Sequence, residues 1–137
     1  MIYQPDGGIV WETRSSSIAE RDPNAMTEQF PPTAVVRVGR VTFAPNLYDA
    51  VVAADKKTSE YLIPAIKQLP GLLHWYAGVS PEGSLSQVSI WDSEEHAAQM
   101  DELKEMRVRA RDDLRAVGVT FTAETATYAN YPITWTI

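Results

Sequence analysis

A chain of 137 residues with 45% apolar and 22% charged residues is long enough for one hydrophobic core and balanced like a globular domain. Without cysteine it has neither a disulfide framework nor a thiolate metal site, and its two histidines, His74 and His96, offer little to any other metal centre. A net charge of −6 excludes the basic footprint of a general nucleic-acid binder, and the cations from Lys104 to Arg115 alternate with almost as many acids, as on a solvated helix face.

Residues 1–32 are rich in Ser, Pro, Gly, Asp and Glu, with one short apolar patch at Ile9-Val10-Trp11. They read as an extended N-terminal arm without a core, closed by Phe30-Pro31-Pro32, where paired prolines resist helix and ladder alike. No basic stretch followed by an apolar one opens the chain, and no segment is apolar over a membrane's thickness. The expectation is a protein without membrane contact, with the cytoplasm as its default location.

The domain is expected over residues 33–137. Valine-rich Ala34 to Phe43 predicts a first strand. Pro45-Asn46 ends it, with Asn46 as a cap, and a first helix follows from about Leu47 to Gln68. Its stripe is Tyr48, Val51, Val52, Leu62, Ile66 and Leu69, and Pro64 is expected to kink or break its end. Pro70-Gly71 opens a hairpin: strand two over Leu72 to Val79, a turn at Ser80-Pro81-Glu82-Gly83, and strand three over Leu85 to Trp91.

Asp92 or Ser93 caps a second helix, with Glu95 placed for a capping-box contact. That helix is expected unbroken to about Ala116, burying Met100, Leu103, Met106, Ala110 and Leu114, and Gly118 stops it. Val119 to Tyr128 predicts strand four, and Tyr131 to Ile137 a further short strand. The fold class is therefore α+β: a ferredoxin-like βαββαβ chain with a four-stranded antiparallel sheet and two helices on one face. The other face needs a cover, and the same sheet from a second copy supplies it economically, giving a homodimer clasped by the arm and the last strand.

Pro70-Gly71 leading into an aromatic strand, then Gly78, a short turn and Ile90-Trp91-Asp92-Ser93-Glu94-Glu95-His96-Ala97, resembles the dimeric α/β-barrel superfamily. Within it, the antibiotic-biosynthesis-monooxygenase-like group is the nearest match, over Val35 to Tyr128. The resemblance implies a dimeric α/β barrel with a small-molecule pocket bordered by the strand-three tryptophan, here Trp91. Haem-degrading members also use an asparagine in strand one and a histidine well inside helix two. Val35 to Phe43 has no asparagine and His96 comes early, so that activity is not implied.

Five residues are candidates for the site. Asp55 falls near the centre of helix one's apolar stripe, where burial raises a carboxyl's pKa and makes a general base; a slight rotation would instead leave it at a wet edge. His74 and Tyr76 share one face of strand two and Trp75 takes the other. His74 and Tyr76 then serve as proton carriers or substrate holders, or else as hydrogen-bonding residues of the dimer interface. Trp91 is a pocket wall or a core aromatic. His96, at the positive end of helix two, is a substrate contact or a packed first-turn residue.

No phosphate loop, nucleophile elbow or His-Glu metal motif occurs, and no cofactor or metal is expected. The resemblance implies a small-molecule enzyme, a cofactor-independent oxygenase of an aromatic or polyketide-like substrate, for which Asp55 or His74 would be the base and Tyr76 would orient the substrate. The alternative is a non-catalytic ligand-binding or structural homodimer of the same fold.

Overall fold

Strand β1 (Val35–Thr42) takes a central place because it is paired on both edges. It lies antiparallel to β3 (Ser84–Trp91) and to β4 (Ala126–Pro132), while β3 is also antiparallel to β2 (Leu72–Ser80). The order β2-β3-β1-β4 places β3 between two strands joined by a helix crossover, which is the ferredoxin-like arrangement expected from the sequence. The computed structural model describes residues 30–137, and Pro32–Thr134 form one compact unit. The arm proposed for residues 1–32 lies almost entirely outside the described residues.

Helix α1 (Tyr48–Lys67) buries Val51, Ala54, Thr58, Leu62 and Ile66 at spacings of three and four, the mark of one face on the sheet. Pro64 neither breaks nor ends it, contrary to expectation. The carbonyl left without a helical donor belongs to Glu60; both residues are exposed, so the gap in the ladder lies on the solvent side of the helix and not in the core. Asn46 is not a cap either: Pro45–Leu47 form a 3₁₀ turn, and no side chain caps it or α1.

After α1, Gly71 adopts φ +88, which brings the chain tightly against the first turn of the next helix. The β2–β3 hairpin is as expected, but β2 carries a bulge between Leu72 and His74. The extra residue lets Leu72 and Trp75 both reach the helix side.

The second helix departs most from expectation. Ser93 caps α2 (Glu94–Ala97) by accepting a bond from the His96 backbone at 3.2 Å, so the third helical position is His96 and Glu95 completes no capping box. A 3₁₀ turn follows at Ala98–Asp101, then a break at Glu102 and Leu103, a π turn at Glu105–Ala110 and finally α3 (Arg111–Arg115). In an unbroken helix at about 100° per residue, Asp101 would point roughly opposite to Leu103 and Met106. The break frees it to turn inward, and Arg107 Nη1 holds the Asp101 carbonyl at 2.6 Å.

The last strand is displaced from its expected position. Thr122 N–H donates to Thr125 Oγ1 at 2.8 Å, and the Ala126 N–H to the Thr122 carbonyl at 2.9 Å, so the threonines close a turn. β4 therefore begins at Ala126, where strand four was expected to be nearly over. The separate terminal strand is absent: Tyr131 and Pro132 belong to β4, and residues 133–137 form no strand.

All helical segments lie on one face of the sheet. They build two apolar nests, one around Val35, Trp91, Leu62, Ile66 and Met100, the other around Val41, Leu85, Val51, Leu114 and Val119. On the opposite face, Val36, Val38, Val88 and Ile90 alternate outward with the exposed Tyr76 and Tyr131, and no described element covers them. Among the described residues, no helix is long and apolar enough to cross a membrane.

Candidate functional site, a polar trough beneath the helical roof

The two central strands pair in register, so their inward residues form rows: Val35 with Trp91, Arg37 with Ser89, Gly39 with Gln87, Val41 with Leu85. The outer rows are apolar and feed the two nests. The middle rows are polar or bare, so the nests do not meet and a trough remains between them. Trp75 stands on its β2 side, and the irregular segment with Met100, Asp101 and Met106 roofs it.

Gly39 gives the ring of Tyr128, its partner on β4, room for close approach: a β-carbon would lie 3.0 Å from that ring and would push it aside. That ring also carries cations. Arg111 lies 5.5 Å from its centroid and donates to Tyr128 Oη at 3.1 Å, while Arg37 sits 5.9 Å from the centroid. Arg111 and Arg107 both border the trough; Arg111 is half-buried, while Arg107 remains exposed at the rim, as on the solvated face expected for the basic run.

Arg37 is the central feature. It is only 9% exposed, yet carries a full charge on an inward position of a central strand. Its Nη2 pairs with Asp101 Oδ1 at 2.7 Å and its Nη1 donates to Asn130 Oδ1 at 3.3 Å. Two of its five N–H donors are thereby engaged. The space in the trough is about 30 Å³, room for a water or two, and it opens to solvent.

The candidates read from the sequence fall in different places. Trp91 is fully buried in the first nest, and its Nε1 donates to Ser89 Oγ at 2.8 Å; it backs the trough through Ser89 and does not line it. Asp55 is half-buried on the flank of α1's buried stripe, where burial raises its carboxyl above the ordinary range.

His74 and Tyr76 stack with rings parallel to within 6° and centroids 6.2 Å apart, on the sheet face away from the helices. The structure therefore does not bring Asp55 together with His74 or Tyr76. It is Trp75 that faces the trough.

His96 lies at a corner: its Nδ1 is 2.6 Å from Asp92 Oδ1, beside Gly71, while Gln99 Nε2 donates to the Pro70 and His96 carbonyls. Elsewhere, Tyr61 donates to Asp113 Oδ2 at 2.7 Å beneath Arg109, and desolvation and then that carboxylate push its phenol up. Among the described residues, no three His, Asp or Glu side chains group as a metal site.

The residues that sequence reading passed over are Arg37, Gln87, Ser89, Asn130 and, as a functional group, Asp101. A signal existed. Every second residue of β1 runs Val35, Arg37, Gly39, Val41, and an arginine on that inward face demands a buried partner.

No family model matches the chain, and no curated protein is similar to it in sequence. Solved structures do match it in fold. A monooxygenase from the gene ActVA-Orf6 of Streptomyces coelicolor, solved in complex with Nanaomycin D, is 15% identical over 77% of this chain and 92% of its own, with a TM-score of 0.57. A protein from Deinococcus radiodurans, proposed to be an antibiotic biosynthesis monooxygenase, is 16% identical over 75% and 95%, with a TM-score of 0.54. A dimeric ferredoxin-like protein from an uncultured marine organism is 18% identical over 77% and 91%, at 0.50. The expected fold resemblance to antibiotic-biosynthesis-monooxygenase-like proteins is borne out as a likeness of fold.

Proposed function

We propose that this chain is a small-molecule enzyme of the antibiotic-biosynthesis-monooxygenase type, an oxygenase without a bound cofactor whose aromatic or polyketide-like substrate occupies the trough. The observation that carries this reading is the nearly buried Arg37 beneath Trp75, Met100 and Met106, a cation at a polar trough with apolar side chains over it. The fold shared with the Streptomyces coelicolor monooxygenase supports it.

The chemistry asks for an oxyanion holder more than for a cofactor. A CH₂ group beside a phenol or enol loses a proton, the anion passes electrons to O₂, a C–O bond forms, and loss of water leaves a carbonyl. One CH₂ and one O₂ give one C=O and one H₂O, so the substrate supplies every electron. Arg37 N–H groups stabilise the substrate oxyanion on which the first step depends. The base and orienting group read from the sequence, Asp55 or His74 and Tyr76, do not line the trough, so they carry no step there and are left to the substitutions below.

Oxygen uptake with a panel of anthrones and hydroxynaphthalenes tests the reading. At least one compound should consume oxygen with equimolar product, and Arg37→Met should reduce kcat/KM by tenfold or more. Asp55→Asn, His74→Ala and Tyr76→Phe then separate the expected parts; turnover retained in all three places the chemistry among the trough residues alone. No uptake across the panel contradicts the enzyme reading.

A second reading is favoured by the small volume: a trough of about 30 Å³ suits a non-catalytic ligand-binding or structural protein. In either case we propose a homodimer. The apolar outer face of the sheet, with Val36, Val38, Val88 and Ile90, is completed by the same face of a second copy. His74 and Tyr76 then lie in that interface.

A further inference from the structure

We propose that Arg37 is the seat for an acidic group on an aromatic ligand, either a carboxylate or an ionised phenol, and that Asp101 fills this seat until the ligand displaces it. The inference rests on the trough being the ligand site, as proposed above, and adds the ligand's charge and the group that competes with it.

The two halves of the Arg37–Asp101 pair are held very differently. The Arg37 side chain is 10% exposed and that of Asp101 is 54% exposed. Arg37 is fixed on a strand paired on both edges, with Asn130 on its second nitrogen. Asp101 ends a 3₁₀ turn immediately before a helix break. Short 3₁₀ and π pieces inside a helix mark places where the helix shifts at modest cost. The buried cation stays, and the exposed carboxylate leaves.

Charge points the same way. Three arginines, Arg37, Arg107 and Arg111, line the trough against one aspartate, in a chain whose net charge is −6. If Asp101 swings out, Arg37 is left desolvated and unpaired, which is costly unless another anion replaces the carboxylate. An acid satisfies that need and a neutral isostere does not. Trp75, Met100 and Met106 supply apolar surface for a flat ring. Arg107 holds the Asp101 carbonyl, so departure of the side chain does not require the turn to unravel.

Calorimetric titration of the full chain with 2-naphthoate and with its neutral amide, neither of which carries a phenol, tests this. The acid should bind at least tenfold tighter than the amide. Asp101→Asn, a change at a half-exposed side chain, should tighten the acid threefold or more and leave the amide unchanged, while Arg37→Met should abolish the preference. Equal binding of acid and amide, or acid binding weakened or unaltered in Asp101→Asn, overturns the seat while leaving the trough as a ligand site. Failure of both compounds to bind overturns the trough reading together with the seat.

Discussion

Arg37 and Trp91 show how single residues divide the interior. Both point inward from central strands in adjacent rows, yet Trp91 completes an apolar nest and Arg37 prevents the next one from joining it. The indole N–H of Trp91 is satisfied by Ser89, so burying the ring leaves no unpaired donor. Asp55 poses the opposite case. Burial raises its carboxyl, so the folded chain retains the neutral acid to higher pH than the unfolded chain does. Its contribution is fully present below the unfolded value and is lost as pH rises through the raised folded value. Urea unfolding of the native protein and of Asp55→Asn between about pH 3 and pH 7 should show the native protein losing stability relative to the variant as pH rises. A difference independent of pH would contradict the burial of Asp55.

At the scale of elements, legibility followed periodicity. β1, α1 and the β2–β3 hairpin were readable because each repeats at its own period between clear punctuation, Pro45 on one side and Pro70-Gly71 on the other. The second helix was not, because Met100, Leu103 and Met106 recur at helical spacing whether or not the helix is continuous. The break is accompanied by contacts that the spacing does not show, from Arg37 to the Asp101 carboxylate and from Arg107 to its carbonyl. Strand four slid for a local reason: threonines favour strands, but Thr122 and Thr125 bond each other and close a turn.

The Gly71 corner is where elements meet most tightly. A β-carbon there would overlap His96 Nδ1 and lie 2.6 Å from Asp92 Oδ1, at a φ that L residues avoid. Gly71→Ala should therefore cost about 2 kcal/mol or more in urea unfolding, through strain and loss of the Asp92–His96 contact. Stability equal to the native protein would contradict the corner as described.

The whole molecule divides one sheet between two tasks. The helix face carries the polar middle rows and the trough, and the outer face carries a valine and isoleucine surface that no described element covers. That two-sided plan was visible from the sequence, since two helices cover only one face of four strands. The site was less visible: choosing His74, Tyr76 and Asp55 depended on which face each presents, and the bulge at Leu72/His74 together with the line of α1 decides that in three dimensions. Arg37 escaped attention because an arginine in a strand reads as an edge or surface residue until its pairing on both sides is known.

The proposed pairing gives the outer face its cover, the same face of a second copy. Native mass spectrometry of the purified full chain measures this most directly. A species of twice the chain mass, converted to single chains by Val88→Lys, is the predicted result; a native protein of single-chain mass at micromolar concentration would contradict the pairing.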